Sequence, residues 1–102
     1  MVTNSTATAL LDAYARDPLL TEREKTHGDY AWNAFISQKL KAVIKSAPGY
    51  AKFNEAHKEC FDMICLKLAR AASNPDFRDH WDDIAGYAKL AAEYTPPEGE
   101  AQ

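Results

Sequence analysis

Two sets of acidic residues are spaced to act together. Glu55, Glu59 and Asp62 stand at intervals of four and three, and Asp79 stands three before Asp82 and four before Asp83. On a helix those intervals put each set on one face. If the two helices are antiparallel neighbours, the sixteen residues between Asp62 and Asp79 suffice for a helix end, a turn and a helix start. Glu59, Asp62, Asp79, Asp82 and Asp83 are then candidate ligands for a hard cation. Mg²⁺ takes carboxylate oxygens and completes its octahedron with water and substrate phosphates. It would neutralise phosphate charge and activate water. A plainer role is open to the same acids. Asp76, Asp79 and Asp82 suit the positive end of a helix dipole, and Glu55, Glu59 and Asp62 suit a solvated face.

Lys67 and Arg70, three apart on one helix, can form a phosphate clamp with the arginine as bidentate donor. They also suit the negative end of a helix dipole. His27-Gly28-Asp29-Tyr30 joins a histidine, a flexible hinge and a carboxylate just before a helix. Backbone N–H groups there can meet an anion, although Asp29 competes as the cap. His57 and His80 are isolated, and Trp32, Trp81 and Tyr87 read as core. There is no Gly-rich phosphate loop, serine elbow or His-x-x-x-His pair.

The elements that must position these groups are helical. Gly and Pro are few and fall at boundaries, and no hairpin signal or long alternating run occurs. A first helix is expected from about Thr6 to Arg16, with Leu10, Leu11 and Tyr14 as its stripe, ended by Asp17-Pro18. Thr21-Glu22-Arg23-Glu24 has capping-box spacing and opens a short helical turn. A second helix is expected over about Tyr30 to Ser46, burying Trp32, Phe35, Ile36, Leu40, Val43 and Ile44. Lys39, Lys41 and Lys45 lie mostly off that face and suit the helix's C-terminal end. A third, over about Ala51 to Ala72, is broadly apolar and therefore central. A fourth covers about Phe77 to Tyr94, with Gly86 inside it as a point of tight helix packing. The expectation is an all-α protein, a small antiparallel bundle of about four helices.

The 102 residues fit one domain, read as residues 1–95 with a core over 23–94 and a flexible tail over 96–102. A core of this size is modest, and a second copy would help it. The net charge of −3 argues against a general nucleic-acid binder. From Ala51 onward six Lys/Arg face ten Asp/Glu, so the second half carries net −4, which also suits a protein-binding face. No stretch has the ~20 apolar residues of a membrane span, and the N-terminus lacks a signal core, so the chain is read as cytoplasmic. Cys60 and Cys65, five apart, read as buried apolar residues rather than as a disulfide or zinc pair.

Arg23, Thr26-His27-Gly28-Asp29, Lys67-Leu68-Ala69-Arg70 and Asp79 through Leu90, with Asp-Ile-Ala-Gly-Tyr-Ala inside it, resemble a family of small phage and prophage proteins of unknown function. That family is similar, more distantly, to the all-α nucleoside triphosphate pyrophosphatases of the MazG type. Those hold Mg²⁺ with Glu-x-x-Glu and Glu-x-x-Asp pairs on adjacent helices. The matches are Glu59-Cys60-Phe61-Asp62 and Asp79-His80-Trp81-Asp82, each with Asp at a position where the pattern has Glu. The resemblance implies a MazG-like fold, a homodimer or higher oligomer, and a nucleotide ligand met by His27, Asp29, Lys67, Arg70 and Tyr87. Location in a host cell's cytoplasm follows if the protein is phage-encoded. It leaves three functions: Mg²⁺-dependent hydrolysis, sequestration of a nucleotide, and inhibition of a host defence complex through the acidic surface.

Overall fold

The computed structural model describes residues 18–98. Among these residues there are α-helices and one 3₁₀ segment, and no strand. Helix α1 covers Pro18–His27, α2 Tyr30–Lys45, α3 Glu55–Ser73 and α4 Arg78–Glu93, with the 3₁₀ segment Pro48–Lys52 between α2 and α3. The all-α expectation holds. The expected helix over Thr6 to Arg16 lies outside the described residues.

α3 is the central element, with α2 packed on one side, α4 on the other and α1 against it more lightly. α3 and α4 are joined by only Asn74 to Phe77, which makes them antiparallel neighbours. Their register is fixed at mid-length and at the end away from the turn. At the turn itself, Asn74 closes α3 with its N–H on the Arg70 carbonyl. In the middle, Lys67 Nζ meets Asp83 at 2.9 Å. At the far end, Asn54 Nδ2 donates to the Tyr94 carbonyl at 2.9 Å and His57 Nε2 lies 2.7 Å from Thr95 Oγ1.

The boundaries follow local chemistry. Asp29 caps α2, its carboxylate accepting from the N–H of Ala31 at 2.7 Å and of Trp32 at 3.4 Å. Asn54 and His57 form a reciprocal capping box at the start of α3. That box puts the helix start at Glu55 rather than near Ala51, since Pro48–Lys52 is a separate 3₁₀ turn whose Tyr50 stacks with Phe53 and Phe61. The helical turn expected near Thr21 is a full helix from Pro18. As the first helical residue, a proline loses no hydrogen bond by lacking an N–H.

α2 departs from its expected orientation. Its buried residues are Ala31, Asn33 and Ser37, while Trp32 is 57% and Val43 67% exposed. Ile44 is exposed as well. Phe35, Ile36 and Leu40 are half-buried as expected, so the helix buries polar Asn33 and Ser37 along with part of its apolar stripe and leaves the rest outside. Trp81 is likewise exposed, with its indole N–H on the Pro75 carbonyl at 2.8 Å, so neither tryptophan is core. Gly86 faces open space: a Cβ built there has nothing within 4 Å, so helix packing within the chain does not explain it. Cys60 and Cys65 are buried free thiols, as expected, and burial pushes the Cys65 thiol up from its ordinary range. Among the described residues, no helix is long and apolar enough to cross a membrane.

Candidate functional site: a cationic pocket beside the His-Gly-Asp turn

The turn from α1 into α2 is bolted to the α3–α4 corner. Gly28 has φ +76°, a left-handed conformation that side chains rarely adopt. A Cβ there would also stand 2.4 Å from Ser73 Cβ, so the turn reaches α3 only because residue 28 has no side chain. Asn33 Nδ2 donates to the His27 carbonyl, and Ser73 Oγ donates to Asn33 Oδ1 at 2.8 Å. Asn74 Nδ2 donates to the Lys25 and Thr26 carbonyls at 3.1 and 3.2 Å. From α4, His80 Nε2 donates to the Thr26 carbonyl at 2.7 Å. At 1% exposure His80 is the largest fully buried side chain of the described core, edge-on to His27 and Phe77 at ring separations of 5.3 and 4.8 Å. The last carbonyls of α1 thus find donors on two other helices, which satisfies a helix end that would otherwise be left open.

Beside this turn lies a pocket of about 130 Å³ between α1, α2 and α3. Arg23 and His27 come from α1 and Gly28 from the turn. Tyr30, Asn33, Ser37 and Lys41 come from α2 at intervals of three and four, and Arg70 comes from α3. Three cations therefore border one small space, with neutral polar groups between them and no carboxylate among the described lining residues. Guanidinium forks match the oxygens of phosphate or carboxylate bidentately, so this lining suits an anion.

The electrostatics agree. His27 is held below its ordinary value of 6.5, first by burial, then by Arg70 and Arg23, with His80 and Lys67 adding to it. Thr26 Oγ1 lies 2.5 Å from His27 Nδ1 and 3.2 Å from the Arg23 carbonyl, which ties the ring to the backbone of α1.

The sequence candidates divide. His27 and Arg70 meet in the pocket. Asp29 is the cap of α2. Lys67 does not border the pocket with Arg70; it pairs with Asp83, whose carboxyl it holds below the ordinary range by hydrogen bond and charge. Tyr87 borders a shallow, open depression on α4 with Asp82, Asp83, Gly86 and Leu90.

The acidic residues expected to hold Mg²⁺ are not brought together. Among the described residues no three or more His, Cys, Asp or Glu side chains gather as a metal site. The register gives the reason. With Lys67 opposite Asp83 and Asn54 opposite Tyr94, Asp62 lies level with about residue 88 and Asp79 with about residue 71. The two are roughly 13 Å apart along the helices, at 1.5 Å per residue. Asp62 stands eleven residues before the end of α3 while Asp79 is the second residue of α4, so a short turn cannot make them meet. Glu59 lies farther still from the turn, and Asp82 is engaged by Arg78 at 3.4 Å. This donor set does not fit Mg²⁺.

Sequence reasoning missed Tyr30, Asn33, Ser37, Gln38 and Lys41, and found Arg23 only through a resemblance. The signal was present as Asn33, Ser37 and Lys41 at intervals of four, a polar stripe beside the apolar one. It was overlooked because Lys41 also suits the end of a helix.

A family model for a domain of unknown function, DUF6378, matches residues 10–95, and the chain belongs to that family. No curated protein and no solved structure matches it.

Proposed function

We propose that this DUF6378 protein binds a nucleotide or nucleotide-derived ligand by its phosphates, in the pocket between α1, α2 and α3. One observation carries the reading: Arg23, Lys41 and Arg70 border a single pocket with no carboxylate among its described lining, in a chain whose net charge is −3. Gathering three cations around one concave space, beside a turn bolted by Gly28 and His80, suits an anionic ligand.

Binding without hydrolysis is the form of the function this site supports best. The Mg²⁺-dependent reaction implied by the resemblance to MazG-type enzymes needs carboxylates that the α3–α4 register keeps apart. The phage-type protein we envisage sequesters its ligand as a homodimer or higher oligomer.

Native mass spectrometry of the purified protein tests this, before and after incubation with a nucleotide pool, with and without Mg²⁺. The expected result is an intact nucleotide retained by the wild type and lost from Arg70→Met. Conversion to monophosphate would make the protein an enzyme instead. An empty, inert protein would overturn the reading in favour of counter-defence inhibition. The outer face of α4, where Leu90 is exposed among Asp79, Asp82 and Glu93, would then be the surface to test by pull-down from host lysate.

A further inference from the structure

We infer that the pocket admits only a phosphoryl group, so that the ligand is recognised as a terminal phosphomonoester and its base is read weakly if at all. This rests on the phosphate-binding reading above and narrows it.

Size is the first argument. A cavity of about 150 Å³ holds a six-atom ring such as benzene. This pocket, at about 130 Å³, has room for the five heavy atoms of a phosphate group. Sites that enclose a whole drug-sized ligand run from roughly 300 to 1,000 Å³. A nucleoside cannot follow its phosphate inside.

The lining is the second argument. Base recognition needs an apolar or aromatic slot with donors and acceptors at the base edge. Here the apolar side chains are Ala34 and Leu66, and the one phenol ring, Tyr30, is 54% exposed. The remaining lining is cationic or neutral polar, suited to oxygen atoms on several sides of a small anion. A group with one substituent can enter such a pocket with its three other oxygens leading. A phosphodiester carries substituents on two sides and cannot seat the same way. Tyr30 at the rim offers its face to whatever follows the phosphate, and aromatic stacking tolerates any base.

Calorimetric titration at low salt separates the possibilities, using inorganic phosphate, ribose 5-phosphate, AMP, GMP, CMP, 3′,5′-cyclic AMP and adenosine. The three nucleoside monophosphates and ribose 5-phosphate should bind within about three-fold of one another, and the cyclic diester at least about ten-fold more weakly. Adenosine should not bind. Arg70→Met and Arg23→Met should each lose about ten-fold or more, the loss of one charge-assisted contact. If either variant fails to fold by circular dichroism, Lys41→Met takes its place with the same expectation.

A preference above ten-fold among AMP, GMP and CMP would overturn the inference, as would equal binding of the cyclic diester. Either would leave phosphate binding in the pocket intact if the arginine variants still lost affinity. Binding of none of the phosphates would overturn both readings together.

Discussion

His27 carries the clearest titration in this site. Its folded pKa lies below the ordinary value of 6.5 because burial and the cations Arg70 and Arg23 disfavour its charged form. The unfolded chain therefore binds a proton at this residue more readily than the folded one. The stability His27 contributes is complete above about pH 6.5 and is lost as pH falls toward the lower folded value. His27→Gln should flatten the decline in urea midpoint below pH 6.5, and an unaltered pH profile would contradict this. An anion among Arg23, Lys41 and Arg70 offsets much of the local positive charge. The His27 ring resonances should then titrate at higher pH with phosphate bound than without it. Gly28 is the other critical residue. Gly28→Ala meets both a positive φ and a contact with Ser73, and should cost about 2 kcal/mol or more in chemical denaturation.

At the scale of elements, α4 has room to improve and α2 does not. Gly86 lies within a regular helix with open space at its Cβ position. Gly86→Ala should therefore stabilise the protein by up to about 1 kcal/mol, the ordinary helix-propensity difference, measured by equilibrium unfolding. A loss of stability would mean that another surface approaches this face in solution. The polar stripe of α2, by contrast, is committed: Asn33 is tied to His27 and Ser73, and Ser37 is buried beside the pocket. Helix boundaries were largely legible in the sequence because Asp29, Pro48, Asn74 and Pro75 act locally, through caps and missing donors. The face each helix presents was legible for α3, which is apolar on two sides. It was legible only in part for α2: Phe35, Ile36 and Leu40 are half-buried, while Trp32, Val43 and Ile44 are exposed and the buried positions are Ala31, Asn33 and Ser37.

For the whole molecule, the exposed apolar residues of α2 are the main consequence of that orientation. Trp32, Val43 and Ile44 lie outside, and the described apolar residues that are fully buried are small: Ala31, Cys60, Cys65, Ala69 and Ala71. A second copy covering this stripe would bury large side chains that one chain leaves partly in water, each contributing at most about 1.5–3 kcal/mol, the value for full burial from full exposure. Light scattering at micromolar concentration should give the mass of a dimer or higher oligomer, with Trp32→Asp shifting it toward the monomer. A wild-type monomer would contradict this. The sequence by itself determined the helical class, the turns, and that His27, Gly28 and Asp29 form the break between two helices, because periodicity, caps and glycine act within a few residues. Only the tertiary structure decided which charges meet. Glu59, Asp62, Asp79, Asp82 and Asp83 share faces by spacing, yet the register of two antiparallel helices around a short turn separates Asp62 from Asp79. Arg23, Lys41 and Arg70, distant in sequence, border one pocket because α1, α2 and α3 converge beside the turn that Gly28 allows and His80 holds.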